Sequence, residues 1–412
     1  MSWTDRVQPL WRNYGALAAL RAVNVLLPLA LYPVLLYRLG PDLFGLVIFA
    51  QAVATYFMMG ANYATEIYGT RLISRSKHDP ALLRREASQL WWMKLFLLAV
   101  VVAVYLGVLA LWPFTHDHLF VFIFSLHVVV YEAFFPVWFF QGVEDVAPSA
   151  TLNIAAKLLG AGLLLAWVVL PKDAWLVPMA YTVSAGAMAV VATVMLFRRL
   201  GGIQAPRPRE IARHLREGWP FFITNLSGML YVNANRVLIG AIGMAEVAYY
   251  DLAEKVVQLA KAPQQILGLS LFPRLSSTPE PRGTVQRFAP YSVVFNAALT
   301  LAVFAAAPWI VPLLSPGLPG EGERIAESVL QILSLNIVVV GLNSVVVIQR
   351  ALAENGERAV MRFSLESLAF YLLTVAALYL TGHYAVTWLT GAAVLVECYL
   401  LARTYLYLRR AH

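Results

Sequence analysis

Charge is what this 412-residue chain has least of. Asp, Glu, Lys and Arg make up 13% of it, about half the usual share in a soluble domain. That excludes an ordinary soluble globular protein, and a 60% hydrophobic content points to repeated membrane crossings. Cysteine is almost missing. Cys398 stands alone, which excludes an internal disulfide and any Cys-based metal centre. No Gly-rich phosphate loop follows a strand-like run, so ATP hydrolysis is not expected. His116 and His118 flank Asp117 on a short loop, but imidazole metal sites need three or four converging ligands. No metal or cofactor is expected. Acidic residues are the scarcer charged class, 23 against 31 Lys and Arg. With no basic soluble domain, the excess suits an anionic lipid surface and not a nucleic acid.

Long apolar runs are what the chain does have. A span needs about 20 apolar residues. Twelve are read at 13–37, 43–65, 91–113, 118–140, 148–170, 174–197, 218–243, 246–273, 288–314, 327–350, 359–381 and 383–406. The first is too long for a signal-peptide core, and no small-residue cleavage site follows it. We assign 22 of the 31 basic residues to the N-terminal tail, alternate loops and the C-terminal tail, counting Arg350, Arg362 and Arg403 near span ends with the adjoining loops. Arg38, Lys172 and Arg324 fall in the opposite loops. Positive loops stay inside, and an even number of spans then places both termini in the cytoplasm. Trp91, Trp92, Trp112, Trp138, Trp175, Trp219 and Trp388 sit near the expected interfaces, as an aromatic belt would.

The segment 198–208 is rich in Arg, Gly and Pro and breaks the chain near its middle. The expected division is an N-terminal lobe of six spans (1–200), a cytoplasmic linker (201–217) and a C-terminal lobe of six spans (218–412). Two weak echoes support a repeat. Residues Leu39–Gly45 with Phe49-Ala50-Gln51 match Ile242–Ala248 with Leu252-Ala253-Glu254, and Gln141–Asp145 matches Ala351–Asn355. Both join spans of the same direction, as in a parallel repeat. Asp79-Pro80 reads as an N-cap and first helical residue. Leu82, Leu83, Ala87 and Leu90 then suggest a short amphipathic helix lying on the inner leaflet. Pro28 and Pro33 are expected to bend span 1, because each removes a backbone hydrogen bond.

The stretch Phe135-Pro136-Val137-Trp138-Phe139-Phe140-Gln141-Gly142-Val143-Glu144 resembles the P-x-W-x-x-Q-G-x-E signature of bacterial O-antigen and polysaccharide flippases, in the multidrug/oligosaccharidyl-lipid/polysaccharide (MOP) superfamily. Four other segments agree: Leu27–Gly45, Tyr63–Ser74, Leu230–Arg236 with Ala248-Tyr249-Tyr250, and Leu271–Ser276. The resemblance covers about residues 13–290, and the last four spans only by topology. It implies an all-α integral membrane protein of twelve transmembrane helices, in two six-helix lobes forming a V around a central cavity. It implies a transporter and not an enzyme, in the bacterial inner membrane. The substrate would be an undecaprenyl-pyrophosphate-linked oligosaccharide, moved to the periplasmic leaflet by alternating access coupled to a proton or sodium gradient. Candidate partners are membrane lipids, a polysaccharide polymerase and a chain-length regulator.

The residues themselves argue for an anion. Apart from those counted with the loops, six cations fall inside apolar segments: Arg21, Lys94, Lys157, Arg236, Lys255 and Lys261. Each costs roughly 2.5–3.5 kcal/mol on the lenient insertion scale. Arg21, with Asn24 one turn on, would face a cavity or snorkel to the interface. Lys157 follows Asn153 by one turn. Asn233, Asn235 and Arg236 cannot all face lipid, and Arg236 reads as a cavity cation or as one half of a structural ion pair. Asp251, Glu254, Lys255, Gln258 and Lys261 recur at helical spacing. They form a polar stripe that lines a cavity or is partly self-neutralised. Lys94, after Trp91-Trp92, reads as an interfacial anchor. Glu132, Glu366 and Glu397 are buried carboxylates that would exchange a coupling ion or form local salt bridges. Asp251 and Glu254 join them as coupling or gating candidates. Glu66, at the cytoplasmic end of span 2 near Arg71, is expected to be a gate or an interface partner, not a deep site.

Other readings share these features. A peptidoglycan-precursor flippase or a drug exporter would have the same architecture, although buried cations favour an anionic lipid. A membrane O-antigen polymerase or ligase would carry a large periplasmic loop, and the loops expected here are short.

Overall fold

The computed structural model describes residues 3–277, 281–318, 320–343 and 357–410. They are helical almost throughout, with short 3-10 turns at Pro113–Thr115 and Pro171–Asp173. In chain order the helices are α1 (Trp3–Asn62), α2 (Thr65–Ser76), α3 (Pro80–Leu111), α4 (Leu119–Ser125), α5 (His127–Phe134), α6 (Val137–Gly142), α7 (Ala147–Trp167) and α8 (Leu176–Leu200). They continue with α9 (Pro208–Gly240), α10 (Met244–Ser277), α11 (Pro281–Leu314), α12 (Gly320–Leu342), α13 (Glu357–Leu380) and α14 (Val386–Arg410). Among the described residues, nine helical stretches are long and apolar enough to cross a membrane. The protein is a multi-pass, all-helical membrane protein.

Gly15–Ser76 is one of the nine. At about 1.5 Å per residue it would run roughly 90 Å, three times a bilayer core. Gly40 interrupts it with φ 74°, ψ 166°, a combination essentially restricted to glycine. This is the only non-helical φ/ψ inside α1, so the break falls at Gly40 and not at Pro28 or Pro33. α9 and α10 are absent from the nine, because they carry the polar residues described below. The expected span 118–140 is three short helices, α4 to α6, separated at Leu126 and at Phe135-Pro136. Residues 344–350 of the expected tenth span, and the 351–355 echo, lie outside the described residues.

The chain divides into two compact units, residues 1–27 with 47–226 and residues 28–46 with 227–412. In the first, Trp138, Phe139 and Phe140 pack with Tyr63, Tyr68, Ile73, Leu90, Met93 and Leu196 in one core. The Pro136–Glu144 motif is built into that core. A Cβ on Gly142 would sit 2.6 Å from Ile73 Cβ, so α6 lies directly on α2. Thr70 Oγ1 bonds the Trp138 carbonyl and Gln141 Oε1, both at 3.3 Å. Lys77 Nζ is 2.6 Å from Glu144 Oε1.

The 80–90 segment differs from the expected surface helix. Asp79 caps it, accepting from Ala81 and Leu82 N–H groups at 2.9 and 3.1 Å. It then continues without a break as the first third of α3, with Glu86 through Leu90 buried. The reason is the segment 202–213, which lies against it as a strap. Arg84 Nε donates to the Gly202 carbonyl (3.1 Å), Gln89 Nε2 to Ala205 (3.0 Å) and Trp92 Nε1 to Gln204 (3.0 Å). The Arg207 N–H donates to Gln89 Oε1 at 2.7 Å. Buried Ser88 and Gln89 are thus satisfied by backbone groups, as buried polar atoms must be.

In the second unit, helices meet through small residues, as helices in lipid do. A Cβ on Gly341 would meet Asn296 at 2.7 Å, and one on Gly322 would meet the Tyr249 hydroxyl at 2.5 Å. Gly45 is tightest: its Cβ would lie 1.7 Å from the Met244 carbonyl oxygen. This places residues 28–46 of α1 against the start of α10.

Candidate functional site

The polar stripe of α10 meets α9 in the second unit. Asp251 is 2% exposed. Arg236 Nη2 lies 3.2 Å from Asp251 Oδ1 and 3.0 Å from Glu254 Oε2. Lys255 Nζ pairs with the other oxygen of Asp251, one turn back on the same helix. Tyr32, on α1, donates to the Ala248 carbonyl and presents its ring 5.4 Å from Lys255 Nζ. Asn235 Nδ2 donates to the Tyr250 hydroxyl at 2.9 Å, and Tyr371 donates to Asn235 Oδ1. Two cations and two carboxylates therefore form a neutral network, walled by Tyr32, Tyr250 and Tyr371. Arg236 Nε is buried and has no hydrogen-bond partner among the described residues. A buried unpaired donor costs roughly 1–3 kcal/mol, so this one is available to an acceptor.

A second buried pair lies in the first unit. Lys94 is 0% exposed, which overturns its reading as an interfacial anchor. Its Nζ is 2.9 Å from Glu132 Oε1, and the same oxygen accepts from Asn62 Nδ2 at 2.8 Å. The side chain points into the unit because Glu132, 38 residues on, supplies the only way to bury an ammonium at tolerable cost. Glu66 is in the first turn of α2, just beyond two residues with left-handed backbone, Tyr63 (φ 46°) and Ala64 (φ 54°). Tyr63 is pinned there by its hydroxyl bond to the Leu215 carbonyl (2.8 Å) and by stacking on Phe222 at 4.7 Å. Glu66 itself is exposed, on the electrostatic neighbourhood of Glu132 and Lys94.

Of the other expected residues, Lys261 feels the charge of Glu254 two turns back on α10. Arg21 is half-buried and Asn24 exposed, both on α1. Lys157 is half-buried on α7 and Lys261 half-buried on α10. Asn233 is buried and bonds its own helix, Nδ2 to the Met229 carbonyl at 3.1 Å. Glu366 sits in a local ion cluster, 2.9 Å from Arg362 Nε and 2.8 Å from Arg403 Nη2. Arg362 and Arg403, assigned above to loops, stand on α13 and α14. Glu397 is half-buried on α14.

Sequence reasoning missed a third cluster, on the strap. Glu86 accepts from Arg213 Nη2 at 2.9 and 3.0 Å and lies 3.2 Å from Nε2 of the buried His214. Tyr68 Oη is 2.8 Å from His214 Nδ1 and donates to Glu217 Oε2 at 2.8 Å. Arg85 chelates Glu210 through Nε at 2.9 and 3.0 Å. These hydrogen bonds hold the Glu210 carboxyl down at about 2. The Arg and Glu spacing of residues 207–217 was visible, but their partners lie more than a hundred residues away.

Comparison with known proteins bears on this arrangement. The family described as "Polysaccharide biosynthesis protein" matches residues 10–278, more than half of the chain. A protein from Escherichia coli (strain K12) named "Putative O-antigen transporter" is 24% identical over 277 residues, covering 65% of this chain and 65% of that relative. The chain thus spans just under two thirds of that relative's length. A protein of the same name from Shigella dysenteriae is 27% identical over 270 residues, covering 64% of this chain and 67% of the relative. Among solved structures, the fold is similar to a lipid II flippase MurJ in an inward closed conformation. The TM-score is 0.71 at 9% identity, over 96% of this chain and 87% of the other. An outward-facing MATE family transporter of the MOP superfamily gives a TM-score of 0.60 at 15% identity, over 98% of this chain and 93% of the other.

Proposed function

The chain belongs to the polysaccharide biosynthesis protein family, and from that premise we propose that it is a MOP-type flippase for an undecaprenyl-pyrophosphate-linked O-antigen or other polysaccharide repeat unit. It works in the bacterial inner membrane with both termini cytoplasmic. Twelve spans in two six-helix lobes, 1–200 and 218–412 with the 201–217 connection between them, carry the repeat unit to the periplasmic leaflet by alternating access. The relatives named for O-antigen transport support this cargo. The fold likeness to a lipid II flippase supports the architecture.

The observation that carries the reading is the neutral network of Arg236, Asp251, Glu254 and Lys255. Ionisable groups on membrane helices mark transport pathways more often than structural glue. A pyrophosphate is the same kind of ligand to a guanidinium as a carboxylate, and binds it with the same paired geometry. The substrate head and the two carboxylates therefore compete for Arg236 and Lys255. Arg236 Nε, without a partner, is the donor a phosphate oxygen can take first. A carboxylate displaced in this way is left charged and buried, and takes up a proton or sodium. That exchange is the coupling step. Asn233 and Asn235 on the same helix supply polar contacts at that depth. Arg21, Asn24, Lys157 and Lys261 offer further contacts to pyrophosphate or sugar. Glu66, Glu132, Glu366 and Glu397 are assigned gating or ion exchange.

The test uses cells lacking the protein, complemented with wild type or with Arg236→Gln. Surface glycan and lipid-linked single repeats are quantified on each leaflet. Wild type should restore surface glycan. Arg236→Gln, inserted at equal level, should leave repeats trapped at the cytoplasmic face. Repeats that reach the periplasmic face but fail to lengthen would refute flipping and identify a polymerase-type protein. Accumulation of a peptidoglycan precursor instead would move the cargo to the other flippase class.

A further inference from the structure

The first three turns of α9 have two unlike faces. One is fixed to its unit. His214 is fully buried between Tyr68 and Glu86, the Leu215 carbonyl accepts from Tyr63, and a Cβ on Gly218 would lie 3.2 Å from the Tyr63 ring. The other face carries Arg209, Arg213 and Arg216 at helical spacing, all exposed. With Ala212 and Glu217 they line an open cavity of about 530 Å³. Trp219, 53% exposed, continues the same stripe one turn further on.

The guanidiniums are prepared for a ligand to different degrees. Arg213 spends only Nη2 on Glu86, leaving Nε and Nη1. Arg209 and Arg216 form no ion pair among the described residues. Glu217, the one acid in the lining, is tied back by the Tyr68 hydroxyl. The cavity keeps a net positive charge on a helix that cannot rotate away. A tryptophan at the end of an arginine stripe sets the depth, because indole settles at the head-group level. Arginine forks match phosphate oxygens in pairs.

We propose that the Arg209–Arg213–Arg216 cavity is a binding site for the phosphate group of an anionic lipid at the membrane surface. The site is separate from the Arg236 network, and it requires no particular cargo. Two lipids carry that chemistry, a bulk phosphodiester lipid and a polyprenyl pyrophosphate.

Native mass spectrometry of the full-length protein in detergent tests it, with phosphatidylglycerol, phosphatidylcholine and a short polyprenyl pyrophosphate as probes. Wild type should retain phosphatidylglycerol on the order of tenfold better than phosphatidylcholine, the factor that one charge-assisted contact supplies. Arg209→Gln with Arg216→Gln should abolish that preference. Arg209→Lys with Arg216→Lys should keep part of it, since charge survives without the fork. Arg324→Gln, the same charge removed from an exposed position on α12, should change nothing. Pyrophosphate displacing phosphatidylglycerol from wild type, and not the reverse, would assign the site to a substrate head group. The reverse would assign it to bulk lipid. Equal retention of phosphatidylglycerol and phosphatidylcholine, or retention unchanged in the double glutamine variant, overturns the proposal.

Discussion

Removing the charge of Glu132 should destabilise the first unit far more than removing any exposed acid. Lys94 Nζ has no exposure, and its carboxylate partner is 16% exposed at 2.9 Å. Glu132→Gln keeps the acceptor that Asn62 uses and deletes only the charge. An ammonium is then left buried without a counter-ion, at roughly 3–5 kcal/mol. For a unit of about 200 residues that corresponds to a midpoint lowered by roughly 6–20 °C. Lys94→Met should cost less, because the carboxylate retains the Asn62 bond and some exposure. The double variant, Lys94→Met with Glu132→Gln, removes both charges and keeps the Asn62 bond. It should recover most of the loss, since apolar replacement of a buried pair is often neutral. Thermal or denaturant unfolding of the four proteins in one detergent gives the coupling energy directly. A Glu132→Gln cost under about 1 kcal/mol, the scale of an exposed pair, or a double variant as weak as the sum of the singles, would refute the buried-pair account.

Further outcomes follow from single contacts. Gly45→Ala should block folding or insertion of the second unit, because its methyl would overlap the Met244 carbonyl oxygen at 1.7 Å; protease resistance of the purified variant reads this out. Gln89→Ala removes an acceptor and a donor from the strap and should speed hydrogen exchange of the Arg207 amide without changing that of α13. Glu210 has a folded pKa of about 2 against an ordinary 4.5, set first by the Arg85 hydrogen bonds. Its folded value is depressed, so its contribution is complete above about 4.5 and fades as pH falls toward 2. Glu210→Gln should therefore lower the thermal midpoint at pH 7 and match wild type near pH 2. A difference that persists unchanged at pH 2 would contradict this.

How far the sequence could be read depended on the range of the interaction. Helical class, the polar stripe of α10 and the Asp79 cap depend on spacings of four residues or fewer, and these were legible. The Gly40 break was expected only as a loop, because glycine's φ/ψ within a long apolar run leaves no pattern. Lys94 was misread because its neighbours, Trp91 and Trp92, suggest an interface, while the residue that buries it is Glu132. Arg236 had two open readings, cavity cation or ion pair. Nothing local decides between them, since Asp251 and Glu254 belong to the next helix. Residues 202–213 carry every mark of a flexible link, with one glycine and two prolines, yet Arg84, Gln89 and Trp92 bind their carbonyls. Backbone acceptors have no signature in a sequence.

Lys94, Arg236 and Lys255 are each paired with a carboxylate, and such pairing explains how a cation on a membrane helix can serve an anionic cargo. A bare guanidinium in hydrocarbon costs enough to oppose insertion, so a cation waiting alone for a pyrophosphate is a poor design. A cation resting on a carboxylate inserts as a neutral group and loses little when one oxyanion replaces another. The reversible site is then the one where ligands to the cation and acids to be neutralised are balanced, as at Arg236 and Lys255 against Asp251 and Glu254. Glu366 lacks that balance: two arginines hold one carboxylate, so displacing it leaves the positive charge where it was. Lys94 and Glu132 lack it differently, because the ammonium has no exposure through which a phosphate could reach it. Among the described residues, of these three membrane-helix clusters only the Arg236 network combines balanced charge, partial access and an unused donor. Arg236→Lys separates these requirements. It keeps the charge that neutralises Asp251 and Glu254, and it loses the fork that a phosphate needs. Stability close to wild type with flipping reduced would place the demand for arginine in the cargo. Equal loss of both would place it in the fold.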